Sequence, residues 1–250
     1  MDVAIRGDRT SCLTLQLGER SWLFAVARGF GTVDGESVAP ATLGRIRHEC
    51  ERRLKTERFR RAIDRPQGAA TAMLGVLSRI NGEIFARSAS HDDYVTAGCS
   101  LSAILVVHGR AYVLHTGGTA AYLAHSGTLC ALTRDDTLDE GALPLLARAL
   151  GTSGTLDVSV SSVAVEAGDV IVLTAHRVPG DVDRRTLIAH VERAGPGEHV
   201  LVVRFDDGDR AIEDLLVQIT AVYAPEPLVR VAIAAVGALL MFSFTFAWAQ

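Results

Sequence analysis

No two cysteines in this chain have the C-x-x-C spacing of a zinc ribbon or a redox site; Cys12, Cys50, Cys99 and Cys130 lie far apart. That spacing argues against a metal knuckle or a disulfide framework, and Cys99 and Cys130, set within apolar runs, read as buried, reduced thiols. Neither sign of charge is in large excess: 25 Lys and Arg face 29 Asp and Glu, a net charge of -4. Nucleic acid is therefore not expected as a partner. Met1 to Gly18 lacks a continuous apolar core, so no cleavable leader is expected. Internal repeats and long low-complexity linkers are also missing from the 250 residues, a length that suits one sizeable domain.

One stretch lacks formal charge altogether. Val231 to Ala249 runs for nineteen uncharged residues, about 28 Å at ~1.5 Å per residue, close to the ~30 Å of a bilayer's hydrocarbon core. A buried core helix is the competing reading, but such helices usually carry a polar stripe and this one has none. Trp248 fits an interfacial anchor and Arg230 a snorkelling flank, and positive charge on the N-terminal side places the preceding domain in the cytoplasm. The expected organisation is a domain over 1–224, a linker over 225–230 stiffened by Pro225 and Pro227, and a single transmembrane helix over 231–249.

What is present reads as short strands and a few helices. Leu13–Leu17 and Trp22–Ala27 form a predicted hairpin, followed by helices over Pro40–Ile63 and Gly68–Arg87. Strands are predicted over Ser102–Val107, Arg110–His115 and Ala120–Ala124, with His108-Gly109 and Ser126-Gly127 as turns. A short helix over Ala142–Leu150 precedes strands at Leu156–Val165, Val170–Thr174 and Val200–Phe205, with helices at Thr186–Arg193 and Ala211–Tyr223. Arg45 to Arg61 holds eight Lys or Arg against three Glu, which reads as a solvated helix face laced with pairs such as Glu57 with Arg61. Attraction to an anionic leaflet is the alternative. Strands, a helix pair, then strands again suit two antiparallel sheets flanked by helices.

Ala97 to Leu138 carries the most specific pattern. Gly98-Cys99-Ser100, a strand, a turn, a second strand, Gly117-Gly118-Thr119, Tyr122-Leu123 and Leu132-Thr133-Arg134-Asp135 follow in order. This series resembles the central sheet of the metal-dependent protein serine/threonine phosphatases (type 2C, or PPM). The resemblance implies an α+β, four-layer α-β-β-α sandwich. It also implies aspartates that would hold two manganese or magnesium ions, with a metal-bridging water as nucleophile.

Those aspartates are replaced here. The family's Ala-Asp-Gly-Met-Gly-Gly corresponds to Ala27-Arg28-Gly29-Phe30-Gly31-Thr32, and the Asp of Gly-Asp-Ser corresponds to Gly118. The family's Cys-Ser-Asp-Gly corresponds to Thr174-Ala175-His176-Arg177, and the aspartate before the last strand to Gly197. A guanidinium ~5 Å from a dication repels it by several kcal/mol at an effective dielectric of ~20. The matching implies degenerate metal positions Arg28, Gly118, His176 and Gly197, with no catalytic residue and no metal ligand among them. Asp8 is a possible displaced remnant of the N-terminal Asn-Glu-Asp motif. Asp169 reads as a turn aspartate, and Asp135-Asp136 as a solvated loop.

Arg28, His176 and Arg177 are candidate phosphate-binding residues, because guanidinium forks and imidazolium suit phosphoryl oxygens without a metal. Simple decay of the pocket is the bland alternative, and a substitute zinc site at His176, Glu198 and His199 a third. The expectation is a membrane-tethered pseudophosphatase serving signalling or assembly, with no cofactor and with a phosphorylated protein as the candidate partner. The alternative is an active, manganese- or magnesium-dependent serine/threonine phosphatase with an atypical metal site.

Overall fold

Glycine-rich turns and strict alternation of side chains build most of this molecule. The computed structural model describes residues 1–6, 11–31, 35–89, 97–138, 145–178, 182–194 and 199–205. In order these form β1 (Asp2–Arg6), β2 (Cys12–Gly18), β3 (Ser21–Phe30), α1 (Gly35–Leu54), α2 (Glu57–Ile63) and α3 (Pro66–Ala89). They continue with β4 (Gly98–Val107), β5 (Arg110–Thr116), β6 (Ala120–His125), β7 (Thr128–Ala131), β8 (Thr137–Leu138) and β9 (Leu145–Leu146). The last four are β10 (Ser159–Ala164), β11 (Val170–Thr174), α4 (Arg184–Arg193) and β12 (Val200–Arg204).

The strands make two antiparallel five-stranded sheets, ordered β1-β12-β11-β6-β7 and β10-β5-β4-β3-β2, plus the small pair β8-β9. Strand β4 explains the layering. All ten of its residues are buried, because Cys99, Leu101, Ala103, Leu105 and Val107 face the helices while Ile104 and Val106 face the other sheet. Helices α1 and α3 answer with stripes at helical spacing, Ala39, Leu43, Ile46 and Cys50 on one and Met73, Val76, Leu77, Ile80 and Ile84 on the other. Each buried Leu, Ile, Val or Met among them contributes about 1.5–3 kcal/mol. Between the sheets lie Phe24, Val26, Ile104, Val113, Leu123, Ile171, Leu173, Leu201 and Val203. Outside the first sheet, Leu187 and Val191 of α4 cover Tyr122, Val172 and Val202. The expected α-β-β-α order of layers is therefore present.

Both predicted tight turns form. His108 (φ 48°) with Gly109 (φ 77°) joins β4 to β5, and Ser126 (φ 46°) with Gly127 (φ 83°) joins β6 to β7. Two successive positive φ angles match the right-handed twist of the flanking strands, which selects glycine at the second position.

Several boundaries depart from expectation. The helix predicted over Pro40–Ile63 is two helices, α1 and α2, broken at Lys55-Thr56, where Thr56 Oγ1 bonds the Arg53 carbonyl at 2.7 Å. The break redirects the chain so that Phe59 and Ile63 are buried. The opposite, exposed face carries the Glu57–Arg61 pair as expected. No helix forms over the described part of Ala142–Leu150: Leu145-Leu146 is a strand, and Leu150 pairs with Cys99 through backbone bonds of 3.0 and 2.9 Å. A segment this short is a marginal helix in isolation, and the open edge at Cys99 supplies better partners. Strands β1, β7 and β8 were not expected at all.

Among the described residues all four cysteines are free thiols. Cys50 and Cys99 are buried, which pushes both thiols up to about 12. Cys130 is exposed, contrary to the buried reading, because β7 is the edge of its sheet. Among the described residues no helix is long and apolar enough to cross a membrane. The predicted helices over Ala211–Tyr223 and Val231–Ala249 lie outside those residues.

Candidate functional site

Along the facing surfaces of the two sheets, apolar side chains give way to polar ones at a single level. On β3 the inward series is Phe24, Val26, Arg28; on β4 it is Val106, Ile104, Ser102, Ser100; on β5 it is Ala111, Val113, His115. Antiparallel register puts these polar positions side by side, Arg28 opposite Ser100 and Ser102 opposite His115. On the other sheet Thr174, the last residue of β11, pairs with Ala120 at the start of β6. The β5–β6 turn and the segment after β11 therefore arrive at the same end of the sandwich.

A cavity of about 520 Å³ opens there, lined by Arg28, Gly29, Phe30, Ser100, Gly118, Asp135, Thr137, Leu146, Thr152, His176 and Arg177. It brings together four residues singled out by sequence: Arg28, Gly118, His176 and Arg177. Gly197, Asp8 and Glu198 lie outside the described residues. Arg28 is exposed, and its side chain makes no hydrogen bond or ion pair among them. Arg177 donates from Nη1 to the Thr133 carbonyl at 3.4 Å. The next backbone amide, Val178 N, donates to the Tyr122 hydroxyl at 3.1 Å, which fixes the path of the His176-Arg177 segment. Burial raises the Tyr122 phenol above its ordinary range, so it is present as the neutral hydroxyl.

Asp135 and Asp136 are not a solvated pair. Asp136 is buried: its Oδ2 accepts the Gly117 amide at 2.9 Å, and its Oδ1 accepts Arg148 Nη2 at 2.6 Å. Arg148 reaches Asp157 with its other arm at 3.0 Å. The Asp136 backbone accepts from Ala147 N at 2.7 Å, so one residue ties the β5–β6 turn to the segment just after β9. His115 Nε2 stands 3.7 Å from Asp136 Oδ2, while its Nδ1 shares a 3.0 Å bond with Ser102 Oγ. Burial, above all, depresses the His115 pKa, leaving the ring neutral near pH 7. Ser102, His115 and Asp136 resemble a nucleophile relay in composition, but Ser102 is 0% and His115 1% exposed, so no substrate reaches them. They form a structural network. Polar residues at inward strand positions were the sequence signal for Ser102 and His115; Asp136, in a loop, had none.

Asp169 keeps the turn role read from its context, accepting Glu166 N at 2.9 Å and bonding His125 Nδ1 at 2.7 Å.

Among the described residues the donor set does not fit two hard dications. Such ions need several anionic oxygens, whereas the described lining offers one carboxylate, Asp135, beside two guanidiniums. Among the described residues no three His, Cys, Asp or Glu side chains form a metal-sized group. The arrangement suits oxyanions better, since Arg28, Arg177 and His176 can present N–H donors to phosphoryl oxygens.

A two-sheet α-β-β-α sandwich with a cavity at these strand ends is the fold of the PPM-type serine/threonine phosphatases. Solved structures similar to this chain include PppA, a key regulatory component of T6SS in Pseudomonas aeruginosa, with a TM-score of 0.59 and 19% identity over 81% of this chain and 96% of that one. The S. agalactiae serine/threonine phosphatase gives 0.62 and 14%, covering 82% and 100%. The Mycobacterium tuberculosis serine/threonine phosphatase PstP/Ppp gives 0.56 and 21%, covering 82% and 98%. No family model and no curated protein matches the sequence. At these identities the likeness establishes the fold alone.

Proposed function

We propose that this chain is a pseudophosphatase, a PPM-fold domain that binds a phosphorylated protein partner without hydrolysing it and acts in signalling or assembly. The observation that carries the reading is the lining of the cavity: Arg28, His176 and Arg177 surround a space in which Gly118 offers no carboxylate. A regulatory role is compatible with one fold neighbour, PppA, itself a regulatory component of T6SS. Fold likeness to serine/threonine phosphatases favours the alternative, an active enzyme with an atypical metal site. The donor set speaks against it.

Isothermal titration of the full chain in detergent with a phosphothreonine peptide and its unphosphorylated twin tests the reading. Binding of the phosphorylated form alone, weakened about 10- to 100-fold by Arg28→Ala as expected for one charge-assisted bond of ~1.5–3 kcal/mol, supports it. Manganese-dependent release of phosphate from para-nitrophenyl phosphate, abolished by His176→Ala, establishes the enzyme instead.

The same reading includes a membrane tether at Val231 to Ala249, supported by the uncharged run and its Arg230 and Trp248 flanks. Mixed with liposomes and centrifuged through a density gradient, the full chain is expected to float. The chain ending at Ala224 is expected to stay at the bottom, and flotation of both equally would remove the tether.

A further inference from the structure

The phosphate reading leaves one cavity residue without a task, and that residue has the wrong sign for an oxyanion. Asp135 lines the same space as Arg28, His176 and Arg177. Its Oδ1 is occupied, accepting Thr137 N at 3.0 Å and Thr137 Oγ1 at 2.6 Å. Its Oδ2 has no partner among the described residues, and no ion pair there joins Asp135 to Arg28 or Arg177. The cavity wall thus carries both signs of charge, and among the described residues neither Arg28 nor Arg177 neutralises Asp135. At about 520 Å³ it falls in the range that holds ligands far larger than a phosphoryl group. Phe30 and Leu146 add apolar wall, and a space with both apolar wall and a carboxylate suits an aliphatic stem ending in a cation.

We infer that the cavity takes a phosphorylated peptide segment in which a lysine or arginine lies next to the phosphorylated residue, and that Asp135 reads this basic neighbour. The inference rests on the phosphate reading above. It has a sign that can be checked. If Arg28, His176 and Arg177 alone set the field, a glutamate neighbour would improve binding and a lysine would weaken it. With Asp135 reading the neighbour the order is reversed.

Three phosphothreonine peptides identical except for Lys, Ala or Glu at the flanking positions, titrated against the full chain, separate the cases. Lys-flanked peptide is expected to bind about three- to fivefold more tightly than Glu-flanked peptide, the range of one solvent-accessible ion pair. Asp135→Asn should abolish or invert that order while keeping the acceptor for Thr137. Equal or tighter binding of the Glu-flanked peptide to the parent chain overturns the inference and leaves the phosphate reading intact; this comparison needs no variant. A lysine preference that survives in a folded Asp135→Asn chain also overturns the assignment of Asp135. Failure of all three peptides to bind overturns the phosphate reading itself.

Discussion

Asp136→Ala is expected to lower the stability of the folded domain by about 2–4 kcal/mol, seen as a fall in Tm of roughly 5–15 °C. The substitution leaves the buried Gly117 amide without its 2.9 Å acceptor and removes the 2.6 Å partner of Arg148. An orphaned buried N–H costs about 1–3 kcal/mol, and the loss of a charge-assisted bond adds to it. The cost stays below that of a fully buried pair because the Arg148 side chain is 26% exposed and still reaches Asp157. Asp136→Asn retains one acceptor oxygen and is expected to cost about half as much. Thermal melts of the three chains test this, and a Tm for Asp136→Ala within about 1 °C of the parent would show that the clamp contributes little.

Two neighbouring glycines should respond oppositely to a methyl group. Gly117 sits at φ +93°, and a Cβ there would lie 2.6 Å from Ser100 Cβ and 2.9 Å from Ser100 Cα, with Ser100 Oγ closer still. Left-handed strain and overpacking against a buried strand together make Gly117→Ala destabilising by about 2–5 kcal/mol. Gly118 has no such constraint; its Cβ would meet Leu146 Cδ2 at 3.5 Å and Thr137 Oγ1 at 3.6 Å, ordinary contacts. Gly118→Ala is expected to change stability by no more than about 0.5 kcal/mol in either direction. Denaturant titration of both chains would contradict this if Gly118→Ala proved the more damaging. The contrast bears on function, because nothing in the backbone at Gly118 forbids an aspartate.

The layers and most strands were legible because alternation is local. Val170–Thr174 was predicted with the bounds it has, and β4 could be located from an apolar run bounded by a glycine turn. Arg28, Gly118 and His176 were identified by matching motifs, and their shared cavity follows from strand register. Cys130 was misread because the sequence near it does not say whether its strand is an edge. The helix predicted over Ala142–Leu150 failed, in its described part, for a related reason: an apolar stretch of that length takes whatever partner the fold supplies, here the backbone of Cys99.

Asp135 and Asp136 divide the two kinds of knowledge most clearly. Adjacent and chemically identical in the sequence, they read as one solvated pair. In the fold one is clamped between Gly117 and Arg148, while the other lines the cavity with only its Oδ1 engaged, by Thr137, among the described residues. Period-two patterning and turn glycines are properties of neighbouring residues, and the sequence alone determined them. The Asp136 clamp, the neutral His115 and the cavity with both signs of charge depend on contacts between segments from β4 to the loop after β11. Only sheet packing and loop closure bring those segments within hydrogen-bonding distance, and no local periodicity encodes either.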